Sequence, residues 1–378
     1  MNHPAHIELA RMLLAQIAGG APFGARVSEV PAAEYLSHER FLHEQAEVFA
    51  KVPQIVAHES ELAEAGACMT VDVAGVPLLL TRGQDGALHA FRNACRHRGT
   101  RLLSEDSPCR RKALVCPYHG WTYDLRGRLT HVPHEASFAG AQAARAELAP
   151  AHVASRHGLV FAGLAPFDLD LHLRPIEGEL AAFEDPPHVL YKKTTREVRG
   201  NWKLLIDAFL ESYHVRHLHR GSVGRFFLDA RSDAQPAGEH VRAATARRTF
   251  VEADASNLAT LDLRALMTPS YFVFPATILI LHPDYFSVAM IAPLSEDRTR
   301  FTHAMLVPAT ARTAAQDEHW AKSFALIDEG VFQAEDLATV EAMQKGIASG
   351  ASETLLFGAL EHAALWFHES LARRLAAR

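Results

Sequence analysis

Apolar and polar positions change their period along the chain. Residues 1–50 carry helix-spaced apolar positions, ending in AEYLSHERFLHEQAEVFA. Short extended runs follow: CMTVDV, VPLLLTR and ALHAFRN, set apart by Gly75 and the turn GQDG. WTYD, the turn LRGR and LTHV come next, and GLVFAGL ends near Ala165. The Ala-rich stretch AGAQAARAELAPAHVA is predicted as loop and connection. Residues 51–165 are therefore expected to form a small all-β domain. From 166 the pattern is mixed. NWKLLIDAFLESYHVRHLH predicts a helix starting near Asn201. SYFVFPATILILHPDYFSVAMIAPL and RTRFTHAMLVPA look like turn-separated antiparallel strands, and 314–348 and 357–376 like helices. The expected class is α+β, with helices of residues 1–50 packed on a larger domain over 166–378. No internal repeat or low-complexity segment interrupts this order.

With 378 residues the chain is too long for one small core. A net charge of -6, without a long block of one sign, suggests neither a nucleic-acid nor an anionic-membrane surface. The start, MNHPAHIELARMLLAQIAGG, reads as an amphipathic helix and not an export signal, and no run of about 18 apolar residues predicts a membrane span. Four cysteines make no disulfide framework; they fit a reducing cytoplasm, with cysteine as a metal ligand.

Two of those cysteines sit in mixed pairs. FRNACRHRGT holds Cys95 and His97, and CPYHGWTYD holds Cys116 and His119. A structural zinc site usually groups like with like, C-x2-C and H-x3-H. A Rieske [2Fe–2S] cluster instead needs two thiolates on one iron and two imidazoles on the other, which two facing loops with one Cys and one His each would supply. From Phe91 to about Leu129 the sequence resembles the Rieske family, motif C-x-H…C-x2-H. It departs by an insertion, SEDSPCRRKA, that looks like a surface hairpin and carries Cys109 as a free thiol. Cys68 is expected to pack as a small hydrophobe.

The segment NWKLLIDAFLESYHVRHLHR offers Asp207, Glu211, His214, His217 and His219. On a helix, Glu211 and His214 would share a face. A non-haem iron(II) oxygenase site needs two His and one carboxylate on one side of the metal. Spacing alone leaves His217 and His219 both open as the second imidazole. The segment resembles the catalytic motif of Rieske non-haem iron aromatic ring-hydroxylating oxygenase α (terminal oxygenase) subunits, E/D-x2-H-x4-H after N-W-K. That resemblance implies His214 and His219 as ligands. It implies that Glu211 bridges to a Rieske histidine of the neighbouring subunit, with Asp207 near the iron. FQAEDLATVEAMQKG resembles the family's E-D-x4-E-x2-Q segment, implying Asp336 as third ligand, with Glu335 its rival and Glu341 solvated.

The resemblance runs over most of the chain. It implies a small all-β Rieske [2Fe–2S] domain and a helix-grip (START/SRPBCC-like) catalytic domain of antiparallel sheet holding mononuclear Fe(II). Such folds host unrelated functions, so the fold does not name a substrate. The implied activity is hydroxylation of a small aromatic substrate with O2, within aromatic hydrocarbon catabolism. Electrons would come from NAD(P)H through a separate reductase, with or without a ferredoxin, since the chain has no G-x-G-x-x-G opening a βαβ unit. A head-to-tail homotrimer is implied, and a β subunit is left open. Glu at 211, where many ring dihydroxylases carry Asp, favours an alternative: monooxygenation or demethylation of a quaternary ammonium or methoxy compound. A Rieske electron-transfer protein and a zinc-stabilised binding module are the readings from other classes. Expected apolar pocket residues are Phe209, Leu210, Phe272, Phe274, Ile278, Ile280 and Phe286.

Overall fold

The computed structural model describes residues 3–104, 108–181 and 186–376. Two units emerge: Met1–Glu44 with His172–Arg378, and Gln45–Leu171. The first division falls at 44/45 and not at 50/51 for a physical reason. The Glu44 carboxylate is buried against Trp202 and Lys203, whereas the Phe49 carbonyl accepts from Gln54 of the smaller unit.

In the smaller unit, seven strands form one antiparallel sheet: Gln54–His58, Ala67–Val73, Val76–Arg82, Leu88–Arg92, Cys109–Arg110, Pro150–Arg156 and Leu159–Gly163. Part of the Ala-rich stretch expected as loop is thus a strand. Ala74 and Gly75 both have positive φ, 50° and 73°, which is what the two-residue turn joining Ala67–Val73 to Val76–Arg82 demands. Three short strands, Leu114–Val115, Thr122–Tyr123 and Leu129–His131, form a second sheet. Leu79, Phe91, Leu114, Trp121 and Tyr123 build a core beneath the two Cys/His loops, and Cys68 packs in it as expected. Part of the insertion, 105–107, lies outside the described residues. Cys109 lies opposite Cys68 on a paired strand, half-buried.

The larger unit is built on seven antiparallel strands: β1 (His188–Val198), β2 (Phe227–Ala237), β3 (His240–Arg247), β4 (Met267–Val273), β5 (Thr277–Leu281), β6 (Phe286–Ser295) and β7 (Arg298–Pro308). Their order across the sheet is β1-β7-β6-β5-β4-β3-β2. Helix α1 (Pro4–Ile17) lays Leu9 and Leu13 against Ala244, Ala246 and Phe250. Helix α2 (Trp202–Phe209) starts where Asn201 Oδ1 accepts from the Lys203 amide, 3.0 Å away.

The expected continuous helix through 219 does not form: α2 stops at Phe209, and one short turn, α3 (Val215–Leu218), follows. The cause is local. Glu211 Oε2 accepts the backbone N–H of Tyr213 and of His214, so the side chain competes with the helical ladder. Glu211 and His214 therefore meet across a helix break and not along a helix face. The C-terminal helical stretch is α4 (Ala314–Ala325), a π-helical segment Leu326–Leu337, α5 (Ala338–Ala348) and α6 (His362–Ala376). Among the described residues no helix is long and apolar enough to cross a membrane.

Candidate active site

The two Cys/His loops have the same backbone despite their different spacing. Gly99 N donates to the Cys95 carbonyl at 2.8 Å, and Gly120 N to the Cys116 carbonyl at 3.0 Å. Cys95 N donates to Thr100 O and Cys116 N to Trp121 O, both at 2.8 Å. Gly99 and Gly120 hold positive φ of 80° and 70°, which closes each loop. The thiols are buried and the imidazoles half-buried. His97 stacks on Trp121 with centroids 5.0 Å apart and lies 4.6 Å from His119. Tyr123 Oη is 3.5 Å from Cys95 Sγ and accepts the Arg96 amide.

These residues fit a two-iron cluster. Nδ1 of His97 and Nδ1 of His119 are buried and make no hydrogen bond. Burial pushes the Cys95 thiol pKa up, and Cys116 beside it adds to that, so two thiolates here call for a cation. A single zinc would draw all four donors to one point. A two-iron cluster takes the two thiolates on one iron and the two imidazoles on the other, which this mixed donor set can supply.

A second group of donors is His214, His219 and Asp336. The Nε2 atoms of the two histidines are 3.2 Å apart, and Asp336 Oδ1 lies 3.2 Å from His219 Nε2 and 3.9 Å from His214 Nε2. Each ring uses its other nitrogen on a carboxylate. His214 Nδ1 donates to Glu211 Oε1, and His219 Nδ1 to Glu335 Oε2 at 2.7 Å. Those bonds fix the tautomer and leave both Nε2 atoms as lone pairs. With the rings in this tautomer, two lone pairs and a carboxylate oxygen converge without a donor, an arrangement that a metal ion satisfies. The donor set, two imidazoles and one carboxylate, suits non-haem iron(II).

The geometry separates alternatives that spacing left open. His219 is buried and His217 is exposed. Asp336 faces the imidazole lone pairs, while its neighbour Glu335 holds His219 Nδ1 and also accepts from Ser222 Oγ at 2.6 Å. Asp207 is engaged by Tyr35 Oη at 2.7 Å and His368 Nε2 at 2.9 Å. Those partners are 172 and 161 residues away, so no local signal announced them. Glu361 is a further acid of the same wall; burial first, then Glu211 and Asp207, raise its pKa. Glu341 accepts the Arg199 amide.

Two cavities touch the triad. One of about 650 Å³ meets His214 and Asp336 and is lined by Met343, Leu355 and Phe357 among others. The other, about 340 Å³, meets all three donors. Its floor is one face of the sheet: Thr245 and Arg247 from β3, Thr268 and Ser270 from β4, Ile280 and His282 at the end of β5. These residues alternate along their strands, and Thr245–Thr268 and Ser270–Ile280 are cross-strand partners. Of the expected apolar lining, Phe209 and Ile280 reach this cavity. Phe272 shares the face but packs under α6 against Phe367, and Phe274 packs on Phe272. Phe286 pairs with Leu281, so it points away from Ile280, under the Arg264 guanidinium. Leu210 and Ile278 are buried without lining the cavity. The floor is more polar than expected.

Comparison with known proteins bears on both units. Residues 52–149 match the family described as Rieske [2Fe-2S] domain, and residues 188–377 match Ring hydroxylating alpha subunit (catalytic domain). The chain is 28% identical over 366 residues to the carnitine monooxygenase oxygenase subunit of Escherichia coli (strain K12), covering 91% of this chain and 93% of that one. It is 34% identical over 194 residues to the glycine betaine monooxygenase oxygenase subunit of Pseudomonas aeruginosa (strain UCBPP-PA14), covering 50% and 44%. The crystal structure of naphthalene 1,2-dioxygenase from Rhodococcus sp. bound to indole shares the fold, with a TM-score of 0.79 at 19% identity over 100% of both chains.

Proposed function

The chain belongs to the ring-hydroxylating α-subunit family and is the oxygenase subunit of a Rieske-type oxygenase; from that premise we propose that it is a terminal monooxygenase acting on a small quaternary ammonium compound. One observation carries the reading: the triad His214, His219 and Asp336 opens onto a cavity whose floor is hydroxyl-rich and charged. A ring hydrocarbon would cover the Thr245 and Ser270 hydroxyls without hydrogen-bonding them. The metal-bearing wall, by contrast, presents the carboxylates of Glu211 and Asp336. The rings of Phe209, Phe226, Phe227, Tyr285 and Phe332 line the same space, those of Phe226 and Phe227 beneath the Arg247 guanidinium. The likeness to carnitine and glycine betaine monooxygenase subunits supports the same class, so aromatic hydrocarbon catabolism gives way to quaternary ammonium oxidation.

Cys95, His97, Cys116 and His119 would hold the cluster, and His214, His219 and Asp336 the iron. Bound there, the two groups supply single electrons and the reductive activation of dioxygen. The chain's own residues do the rest. Glu211 and Glu335 keep each imidazole in the ligating tautomer. Tyr123 Oη beside Cys95 Sγ sets the polarity around the thiolate. The cavity walls hold the substrate against the open side of the triad and exclude bulk water. A separate cytoplasmic reductase would deliver NAD(P)H electrons. In a head-to-tail trimer, Glu211 of one subunit would meet His97 or His119 of the next.

The test begins with protein purified under low oxygen, assayed for iron, acid-labile sulfide and the reduced-state EPR spectrum. A Rieske signal with about three irons and two sulfides per chain is expected. Oxygen uptake with a reductase is then measured with carnitine, glycine betaine and naphthalene. Product-coupled uptake with naphthalene and none with either ammonium compound would refute the substrate class. A colourless zinc protein would refute the oxygenase site itself.

A further inference from the structure

One charged group in the cavity has no part in the metal chemistry. Arg247, at the end of β3, lines the floor beside Thr245. Its guanidinium lies 5.9 Å above the Phe226 ring and 5.6 Å above the Phe227 ring, with Thr268 Oγ1 at 3.4 Å. Among the described residues no carboxylate forms an ion pair with it. Other arginines of the same sheet are answered: Arg196 by Asp328 and Arg242 by Glu179, the latter at 2.7 Å. Asp284, the nearby acid of the cavity wall, is already taken by Trp320 Nε1 and His319 Nε2, both at 3.0 Å. Glu211 and Asp336 serve the triad.

Burial pulls the Arg247 pKa down, yet a guanidinium stays charged under any working condition. A second positive charge, Arg264, donates to the His282 carbonyl behind the same floor at 3.0 Å. The cavity thus keeps a half-buried, unanswered cation whose planar fork suits a carboxylate in two parallel hydrogen bonds. Thr268 stands beside it with a hydroxyl that can add to the same contact.

We propose that Arg247 is the anchor for an anionic group of the substrate, so that the enzyme selects small carboxylates. Combined with the quaternary ammonium reading, on which this part rests, the substrate is a betaine. Its carboxylate lies on Arg247 and its trimethylammonium toward the Glu211 and Asp336 wall. The anchor itself does not depend on the cation.

The experiment is calorimetric titration of the metal-loaded, oxidised protein under anaerobic conditions. Matched ligands differ in the carboxylate: carnitine against its methyl ester, glycine betaine against choline, and benzoate against toluene. Acetate is a minimal competitor. The wild-type protein should bind an acid more tightly than its partner. Arg247→Gln should weaken acids by about tenfold to a hundredfold and leave the partners within about threefold. Arg247→Lys, charged but without the fork, should recover part of the loss. Cluster absorbance and iron content, set by residues Arg247 does not touch, verify folding in each variant. Equal losses for acids and partners, unchanged acid binding in Arg247→Gln, or wild-type binding confined to choline, esters or toluene would each overturn the anchor. Arg247-dependent binding of benzoate with no binding of carnitine or glycine betaine would support the anchor and overturn the quaternary ammonium reading.

Discussion

Replacing Glu335 by Gln tests how far the second carboxylate of the π-helical segment controls the triad. Glu335 Oε2 accepts from His219 Nδ1 at 2.7 Å and from Ser222 Oγ at 2.6 Å. The amide carbonyl of Gln can accept both bonds, so the substitution removes charge and little else. A carboxylate one imidazole away from a divalent ion, at about 6 Å, interacts with it by up to about 5 kcal/mol at an effective dielectric near 20. Relaxation and the remaining amide dipole reduce this. Loss of such an outer partner ordinarily weakens metal affinity by about 10- to 100-fold, or roughly 1.4–2.7 kcal/mol. The assay is anaerobic competition for Fe(II) against a chelator of known affinity, with the cluster absorbance of the other unit as the folding control. Ser222→Ala, which keeps the His219 bond, should change affinity by less than about threefold. Iron affinity in Glu335→Gln within about threefold of wild type would refute the claim that this carboxylate fixes His219 as a ligand.

Four further outcomes are expected. His214→Ala should lose mononuclear iron and keep the cluster, while exposed His217→Ala keeps both; iron analysis beside the visible spectrum decides. Glu211→Gln should weaken mononuclear iron by the same order as Glu335→Gln and keep the cluster; in protein reloaded with iron to wild-type content, coupled turnover should still fall by about tenfold or more, read as product formed per O2 consumed. Glu44→Gln should cost about 3–5 kcal/mol in urea unfolding, because Lys203 Nζ lies 2.8 Å from Glu44 in a site where both side chains are almost wholly buried. The double variant Glu44→Leu/Lys203→Met should recover part of that loss, the remainder being the Trp202 Nε1–H left without its acceptor. Burial alone would raise the Asp328 carboxyl, but hydrogen bonds from His303, Arg196 and Thr194 outweigh it and hold the pKa below the ordinary range. A depressed folded pKa stabilises above the unfolded value of about 4 and loses that contribution as pH falls further. Asp328→Asn should therefore flatten the acid limb of urea midpoints measured below about pH 5.

Much of the site was readable because its chemistry is written contiguously. Cys95 with His97 and Cys116 with His119 are short, mixed in type and bounded by Gly99 and Gly120, so residue identity alone ruled against a like-with-like zinc grouping. The helix through His219 was misjudged because the amphipathic pattern of α2 continues past Phe209; only the Glu211 side chain, turned onto two backbone amides, breaks it. Asp336 and Glu335 are adjacent acids that spacing alone does not rank; only the resemblance of the segment favoured Asp336. The fold does so by presenting one to the Nε2 lone pairs and the other to His219 Nδ1. Periodicity placed Phe272 on the inner face but could not say that Phe367 covers that end of the sheet. Arg247 is one of three arginines in VRAATARR, with Arg242 and Arg248, and the absence of a described carboxylate paired with it is visible only once the strands are paired.

The composition of the triad has a consequence for how the enzyme acquires its metal. Glu211 and Glu335 hold the two rings with Nε2 turned toward Asp336. A nest of this composition does not prefer iron. Imidazole and carboxylate donors follow the general ranking of divalent ions, in which copper and zinc outbind ferrous iron. The identity of the occupant is therefore decided outside the fold, by which ion the cell keeps plentiful when the chain is made. Expression in zinc-rich medium should yield a protein with an intact cluster and a silent second site.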